Sequence, residues 1–455
     1  MTEIILKRLS DSKVARWLAL FLVSFAMMCS YYVYDVVAPL EDLLLRNFQW
    51  TGTEYGIFSG AYAWFNVFLL MLIIGGVFLD KVGIRITGTL CCLLMTIGVV
   101  IKAYALSDYF PFEGNIIGYD ARMIVACVGF SIFGLGAETS YVAMNKIVVK
   151  WFDGRELALA MGLQVALARI GTACALSFSL PVAMHFHSLS APVWLGAISV
   201  LIGFLAFSVY CTMDKKEDRS TNASVANNKL KEDEFKVSDI KSVLVNKGFW
   251  LIAILCLLFY SGIFPFLKYA TKLMIYKYGA PESLAGIIPA ILPFGTILLT
   301  PVFGRIYDAV GKGATLMFIG SFMLMLVHIL FAMPALNEWW FATLLMVLLG
   351  IAFSLVPSAM WPSVTKIIPQ KKLGTAFALI FYIQNCGLML VPLLIGWTID
   401  RYATIPGETV TYDYSVTMFV FAVFGALAML FALWLKKTDK EKGYGLELPS
   451  KKIKQ

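Results

Sequence analysis

The chain has 455 residues, is 60% hydrophobic and only 15% charged, and has a mean hydropathy of +0.79. Soluble domains are about 45–50% apolar and about 25% charged, so this composition excludes a water-soluble enzyme or nucleic-acid-binding domain and implies a polytopic membrane protein. The net charge of +8 reads as a topology signal once its carriers are placed along the chain.

Twelve apolar runs of roughly 20 residues, each long enough for a ~30 Å hydrocarbon core, are predicted near 15–37, 54–78, 86–106, 121–149, 157–183, 191–212, 248–276, 283–307, 314–333, 339–368, 373–399 and 415–435. The first is too long for the core of a signal peptide and is read as a span. With both tails and every even-to-odd loop on one side, 29 of the 37 Lys and Arg fall there, seven fall opposite, and Arg169 stays inside the fifth run. That bias places both termini in the cytoplasm. All eight Cys lie in predicted helices with no CxxC pair, and His185, His187 and His328 form no ligand pattern. Neither a metal nor any other cofactor is expected. The chain carries no phosphate-binding Gly-rich loop and no nucleophile beside a His base, so no enzymatic activity is expected.

One long polar stretch, 213–247, divides the spans six and six. Its composition suits a solvated linker, giving an N-terminal bundle at 1–212 and a C-terminal bundle with its tail at 248–455. The halves repeat each other. Gly76-x-x-x-Asp80-x-x-Gly83 recurs as Gly304-x-x-x-Asp308-x-x-Gly311, an offset of 228. Gly134, Ala143-Met144, Lys150, Ala160 and Gly171 then match Gly350, Ala359-Met360, Lys366, Ala376 and Gly387, an offset of 216. An extra loop at 107–120 in the first half accounts for the difference of 12.

Parallel six-helix repeats around a midplane site describe a secondary transporter. The run Gly76-Val-Phe-Leu-Asp80-Lys81-Val-Gly83-Ile-Arg85 resembles the signature loop of the major facilitator superfamily. The resemblance implies an all-α fold of twelve transmembrane helices in two pseudo-symmetric six-helix bundles. In the loop, glycines allow a tight turn and close helix approach, and Asp80 is expected to pair with Lys81 and Arg85 in a network that locks one conformation and releases in the other. The second copy replaces the base after Asp308 with Ala309, so its network is expected to be weaker.

Two charges lie inside spans. Glu138 is 11 residues short of the end of the fourth and Arg169 is 12 residues into the fifth. At 1.5 Å per residue both sit about 17 Å from the same boundary. Tyr141 and Asn145 follow Glu138 at i+3 and i+7 and make one polar stripe, and Thr172 extends the Arg169 face. Two arrangements are open: a structural ion pair between neighbouring helices, or two grips on the ends of a zwitterion. Under the 216 offset Glu138 maps to Ser354 and Arg169 to Asn385. The fold therefore does not itself demand the charges, which favours the substrate role. A carboxylate for an ammonium and a guanidinium for a carboxylate fit an amino acid or short peptide.

Within the superfamily, Ser30-Tyr-Tyr-Val-Tyr34-Asp35, Tyr62-Ala-Trp64-Phe-Asn66, Phe264-Pro265-Phe266, Trp361-Pro362 and Gly374-Thr-Ala376 through Gln384-Asn385 resemble the lysosomal dipeptide-uniporter branch and its bacterial relatives. The resemblance implies that Glu138 and Arg169 grip a dipeptide. Asp35 is a further candidate, for the substrate amine, for a coupling proton, or as partner of a rim lysine. Trp64, Trp361 and Tyr382 are candidate cavity walls, and Gln384 and Asn385 candidate polar contacts. Lys268 and Lys272 are expected to snorkel to the interface. The expected partners are a small zwitterionic substrate, a candidate proton and the lipid bilayer, with no nucleic acid. A carboxylate transporter using Arg169 and Lys268, and a transporter-like receptor without turnover, are the alternatives. The lone sequon, Asn222-Ala-Ser224, falls on the cytoplasmic side, and no acidic dileucine signal is evident. Both point to a bacterial-type plasma membrane.

Overall fold

The computed structural model describes residues 9–112, 114–152, 156–220, 237–405 and 411–449. Eleven helices among them are long and apolar enough to cross a membrane, and a twelfth span combines Gly52–Phe68 with Ile73–Val82 across a 59° bend. In chain order the spans are Lys13–Asp35 (span 1), the bent pair (span 2), Ile84–Ala105 (span 3), Ala121–Phe152 (span 4), Leu157–His185 (span 5) and Ala191–Ser220 (span 6). The second six are Lys247–Ser261 with Phe264–Tyr276 (span 7), Ile287–Val310 (span 8), Gly313–Ala332 (span 9), Trp339–Ile367 (span 10), Leu373–Thr398 (span 11) and Ser415–Lys442 (span 12).

Local chemistry sets the starts and breaks. Ser12 caps span 1 by accepting from Ala15 N–H, Thr51 and Glu54 form a reciprocal capping box on span 2, and Asn246 caps span 7 through Gly248 and Phe249 N–H. Span 7 was expected to be continuous, but it breaks at Gly262–Ile263. Pro265 has no N–H to give the Ser261 carbonyl, so the ladder must restart there. The polar stretch assigned to a linker begins as helix instead, because span 6 runs on through Asp214 and Asp218 to Ser220. These two acids have basic partners. Arg85 reaches Asp214 at 3.2 Å and Asp218 at 2.6 Å, and Lys150 reaches both at 2.7 Å. Trp151 and Tyr210 also donate to Asp214.

That network corrects the expected pairing in the signature loop. Asp80 pairs with Lys146 on span 4 and not with Lys81 or Arg85, and Lys81 is exposed. Gly83 (φ 91°) turns the chain between spans 2 and 3, so Asp80 and Arg85 sit on diverging helices and meet different neighbours. In the second half Gly311 makes the matching turn (φ 72°), while Asp308 is exposed and joins no ion pair among the described residues. The C-terminal tail does the joining there. Gly313 N–H donates to Leu446 O, Thr315 N–H to the Glu447 carboxylate, and Lys366 to the carbonyls of Gly445 and Leu448. Lys150 and Lys366 are repeat equivalents, and each fastens the end of its own half.

The two halves are sealed against each other on the face away from the chain ends. A Cβ added to Gly56 would lie 2.4 Å from Pro392 O, and one on Gly60 would lie 2.3 Å from Met389 O, so spans 2 and 11 touch backbone to backbone. The Asp400 carboxylate at the end of span 11 accepts from Gly52 N–H and Thr53 N–H, both at 2.7 Å, and from the Thr53 hydroxyl at 2.5 Å. It caps a helix of the opposite half. Lys268 pairs with Asp35 at 2.8 Å and donates to Tyr34 O at 2.7 Å, and Lys272 lies 3.7 Å from Glu41. These lysines were expected to snorkel, yet they are 3% and 1% exposed. Acids of the facing half lie within reach, and a closed interface offers no path to water. On the chain-end side, no ion pair among the described residues joins the halves.

Two outcomes follow. Asp400→Asn removes an anion from a helix N-terminus, worth about 1–2 kcal/mol, so it should shift the closed-to-open ratio of this face roughly 5- to 30-fold. Spin labels at positions 109 and 338, one on each half, should report longer distances in the variant. Gly56→Val should prevent the face from closing and move the same distribution further.

Candidate functional site

Span 4 carries Glu138, Tyr141 and Asn145 on one stripe, as the i, i+3, i+7 spacing requires. All three are half-buried although they lie well inside the helix, so they border a space and not the packed core. Glu138 Oε1 accepts from the Tyr62 hydroxyl of span 2 at 2.9 Å. Asn385 of span 11 is the repeat counterpart of Arg169 and carries no charge. Asn385 is buried, donates to Phe381 O at 3.0 Å, and leaves its own Oδ1 without a partner. Asn145 Oδ1 accepts from Gln164 of span 5 at 3.1 Å, and the Tyr141 ring meets the Phe381 ring edge-on at 6.2 Å.

Arg169 of span 5 is half-buried too. Among the described residues it forms no ion pair, with Glu138 or any other acid. Its guanidinium carbon lies over three rings instead: Phe353 at 4.9 Å, Phe264 at 5.7 Å and Tyr31 at 5.7 Å. The first two belong to the second half. Behind them Tyr260 stacks on Phe264 at 5.3 Å, and Trp361 donates to the Tyr260 hydroxyl at 3.3 Å. Trp361 also packs against Phe381 at 5.2 Å.

The halves are therefore opposed in a regular way. Glu138 faces Asn385, the repeat counterpart of Arg169. Arg169 faces Phe353, the neighbour of Ser354, which is the repeat counterpart of Glu138. Neither repeat counterpart carries a charge, so neither offers Glu138 or Arg169 a counter-charge from the second half. With Asn and Ser in their places, a carboxylate and a guanidinium remain as two separate poles.

Of the other candidates, Gln384 is half-buried and accepts from Cys256 at 3.6 Å. Trp64 is half-buried and makes no hydrogen bond or ring pairing with this group among the described residues. Asp35 lies outside it, bound to Lys268 in the seal between the halves. Sequence reasoning missed Tyr62, Tyr260, Phe264, Phe353 and Gln164 as site residues. An aromatic in an apolar span carries no cost that marks it out, as a charge does, and an amide such as Gln164 marks itself out only weakly. Gly76, Asp80, Lys81, Gly83, Arg85, Gly304, Asp308 and Gly311 all lie at the chain-end face, remote from the two poles.

Comparison with known proteins agrees with this architecture. The family model described as Major Facilitator Superfamily matches residues 20–384 and 269–453. The chain is 28% identical to the lysosomal dipeptide transporter MFSD1 of Bos taurus over 448 residues, covering 96% of this chain and 88% of that protein. It is also 28% identical to the Homo sapiens protein of the same name over 395 residues, covering 85% and 80%. Among solved structures, the nucleoside transporter NupG superposes with a TM-score of 0.67 at 15% identity, covering 93% of this chain and 99% of that one. A bacterial homolog of the human lysosomal transporter Spinster, in an inward-facing and unoccupied conformation, gives 0.68 at 15% identity, covering 94% and 98%. These two share the fold. With two six-span halves, a repeated signature loop and a model match over most of its length, the chain is an integral membrane protein that belongs to the Major Facilitator Superfamily of transporters.

Proposed function

We propose that this protein carries dipeptides, or zwitterions of similar size, across the membrane by alternating access. The observation that carries the reading is that Glu138 and Arg169 share a depth and stand on neighbouring helices without pairing. A buried charge with no protein counter-charge is costly in a bilayer, and a zwitterion offsets both at once. Its ammonium meets Glu138 and its carboxylate meets Arg169, and a net-neutral load limits the desolvation cost. The curated relatives named as dipeptide transporters support the same substrate class. The Lys and Arg distribution supports cytoplasmic termini, so the face sealed here is external and access is from inside. We assign the protein to a bacterial-type plasma membrane on the position of its lone sequon.

A second reading has one specific support. The D-galactonate transporter of Escherichia coli is 24% identical over 200 residues, 43% of this chain, and Arg169 alone suffices for a carboxylate. Under that reading Glu138 is dispensable.

Uptake of labelled dialanine into proteoliposomes separates the two. Wild type should take it up, with or without an imposed proton gradient. Glu138→Gln and Arg169→Ala should each lower uptake at least 100-fold, since losing one partner of a buried charge contact costs about 3–5 kcal/mol, with the folded fraction unchanged on size exclusion. Uptake that survives Glu138→Gln but not Arg169→Ala assigns a carboxylate substrate instead.

A further inference from the structure

We infer that Phe353 is a positioning residue that holds the Arg169 guanidinium for the substrate carboxylate without using its hydrogen-bond donors. The inference rests on the reading of Arg169 as a carboxylate contact. An arginine on a flexible stem, with no acid to pin it, samples many rotamers unless something else holds the head. Here aromatic faces do so, with Phe353 at 4.9 Å the nearest. A ring attracts the cation through its quadrupole and leaves all five N–H donors available. An acid in its place would consume those donors and neutralise the charge the substrate needs.

The ring is itself fixed. Phe353 is 3% exposed, and it is wedged edge-on between Phe264 at 5.5 Å (84°) and Tyr260 at 5.8 Å (89°). Its place in the fold is equally specific. It belongs to span 10, which contains no Asp or Glu, so that span brings Arg169 a ring and no carboxylate. Span 10 thus offers the cation an anchor that is not a competitor.

The test is affinity of the purified full-length protein in detergent, by titration calorimetry, for alanyl-alanine, its C-terminal amide, and N-acetylalanine. Phe353→Leu should weaken the two free acids about tenfold, the scale of a desolvated cation–π contact, and leave the amide unchanged. Phe353→Tyr should restore the acids, and Arg169→Ala should abolish any preference for acid over amide. The inference is overturned if Phe353→Leu leaves the acids unaffected, if it weakens acid and amide alike, or if wild type does not distinguish them. Wild type that binds N-acetylalanine but no dipeptide sinks the dipeptide reading while the acid-specific loss in Phe353→Leu still decides the role of the ring.

Discussion

A charge held at the mid-depth of a bilayer must be offset by something, and here Glu138 and Arg169 form no ion pair among the described residues, which is why the proposed reading gives that role to the substrate. The pseudo-symmetry explains how. A duplicated bundle that kept both charges would carry a Glu and an Arg in each half, and the second half could then supply counter-charges to the first. The second half instead carries Ser354 and Asn385 at the equivalent positions. The Phe353 ring approaches Arg169 without occupying its donors. On the proposed reading, the charges that recognise the substrate sit in one half and the rings that hold one of them come from the other.

This division bears on how the halves move. On the proposed reading, substrate contacts made by both halves change when the halves rock, which links the binding site and the conformational equilibrium through the same few side chains. The seal on the far face is built to let that happen. Asp400 caps span 2, but Thr51 and Glu54 cap it as well. When Asp400 withdraws, the helix retains its own box, and water can take the released donors at a loop boundary. The Asp35–Lys268 pair is different. It is buried, and separating it exposes two charges that must each find solvent. The closed face is thus held by one contact that is cheap to exchange with water and one that is not, alongside backbone contacts that permit only glycine on span 2.

The fold class was legible from residues, and the two intramembrane charges could be picked out, because each feature carries a large energetic signature. A run of 20 apolar residues has few other homes, an Asp-Gly turn repeated in register is improbable by chance, and an intramembrane charge is expensive. What was not legible has a common cause, which is competition among partners. Asp80 had Lys81 and Arg85 beside it in sequence, yet Lys146 and the Asp214–Asp218 pair were better placed in space. Lys268 and Lys272 had the reach to snorkel, but the facing half supplied acids. The aromatic wall went unread because Phe and Tyr at helical spacing look the same in a lipid-facing row, a core or a binding site.

The chain-end face shows the same economy by a different route. The first half ties its helix ends together through Arg85, Lys150 and the acids of span 6. The second half has no base at the counterpart of Arg85, which the offset of 228 places at Gly313. It compensates with residues outside the repeat. The tail folds back after Gly443, buries Leu446, and places Glu447 at the N-terminus of span 9 while Lys366 binds its carbonyls. A carboxylate at a helix N-terminus is stabilised by the unpaired N–H groups there. In the first half the helix ends are bound by side-chain ion pairs, and in the second by a peptide strap. Among the described residues neither network crosses between the halves, so on the alternating-access reading each bundle can move as a unit while the far-face seal and the space between Glu138 and Arg169 rearrange.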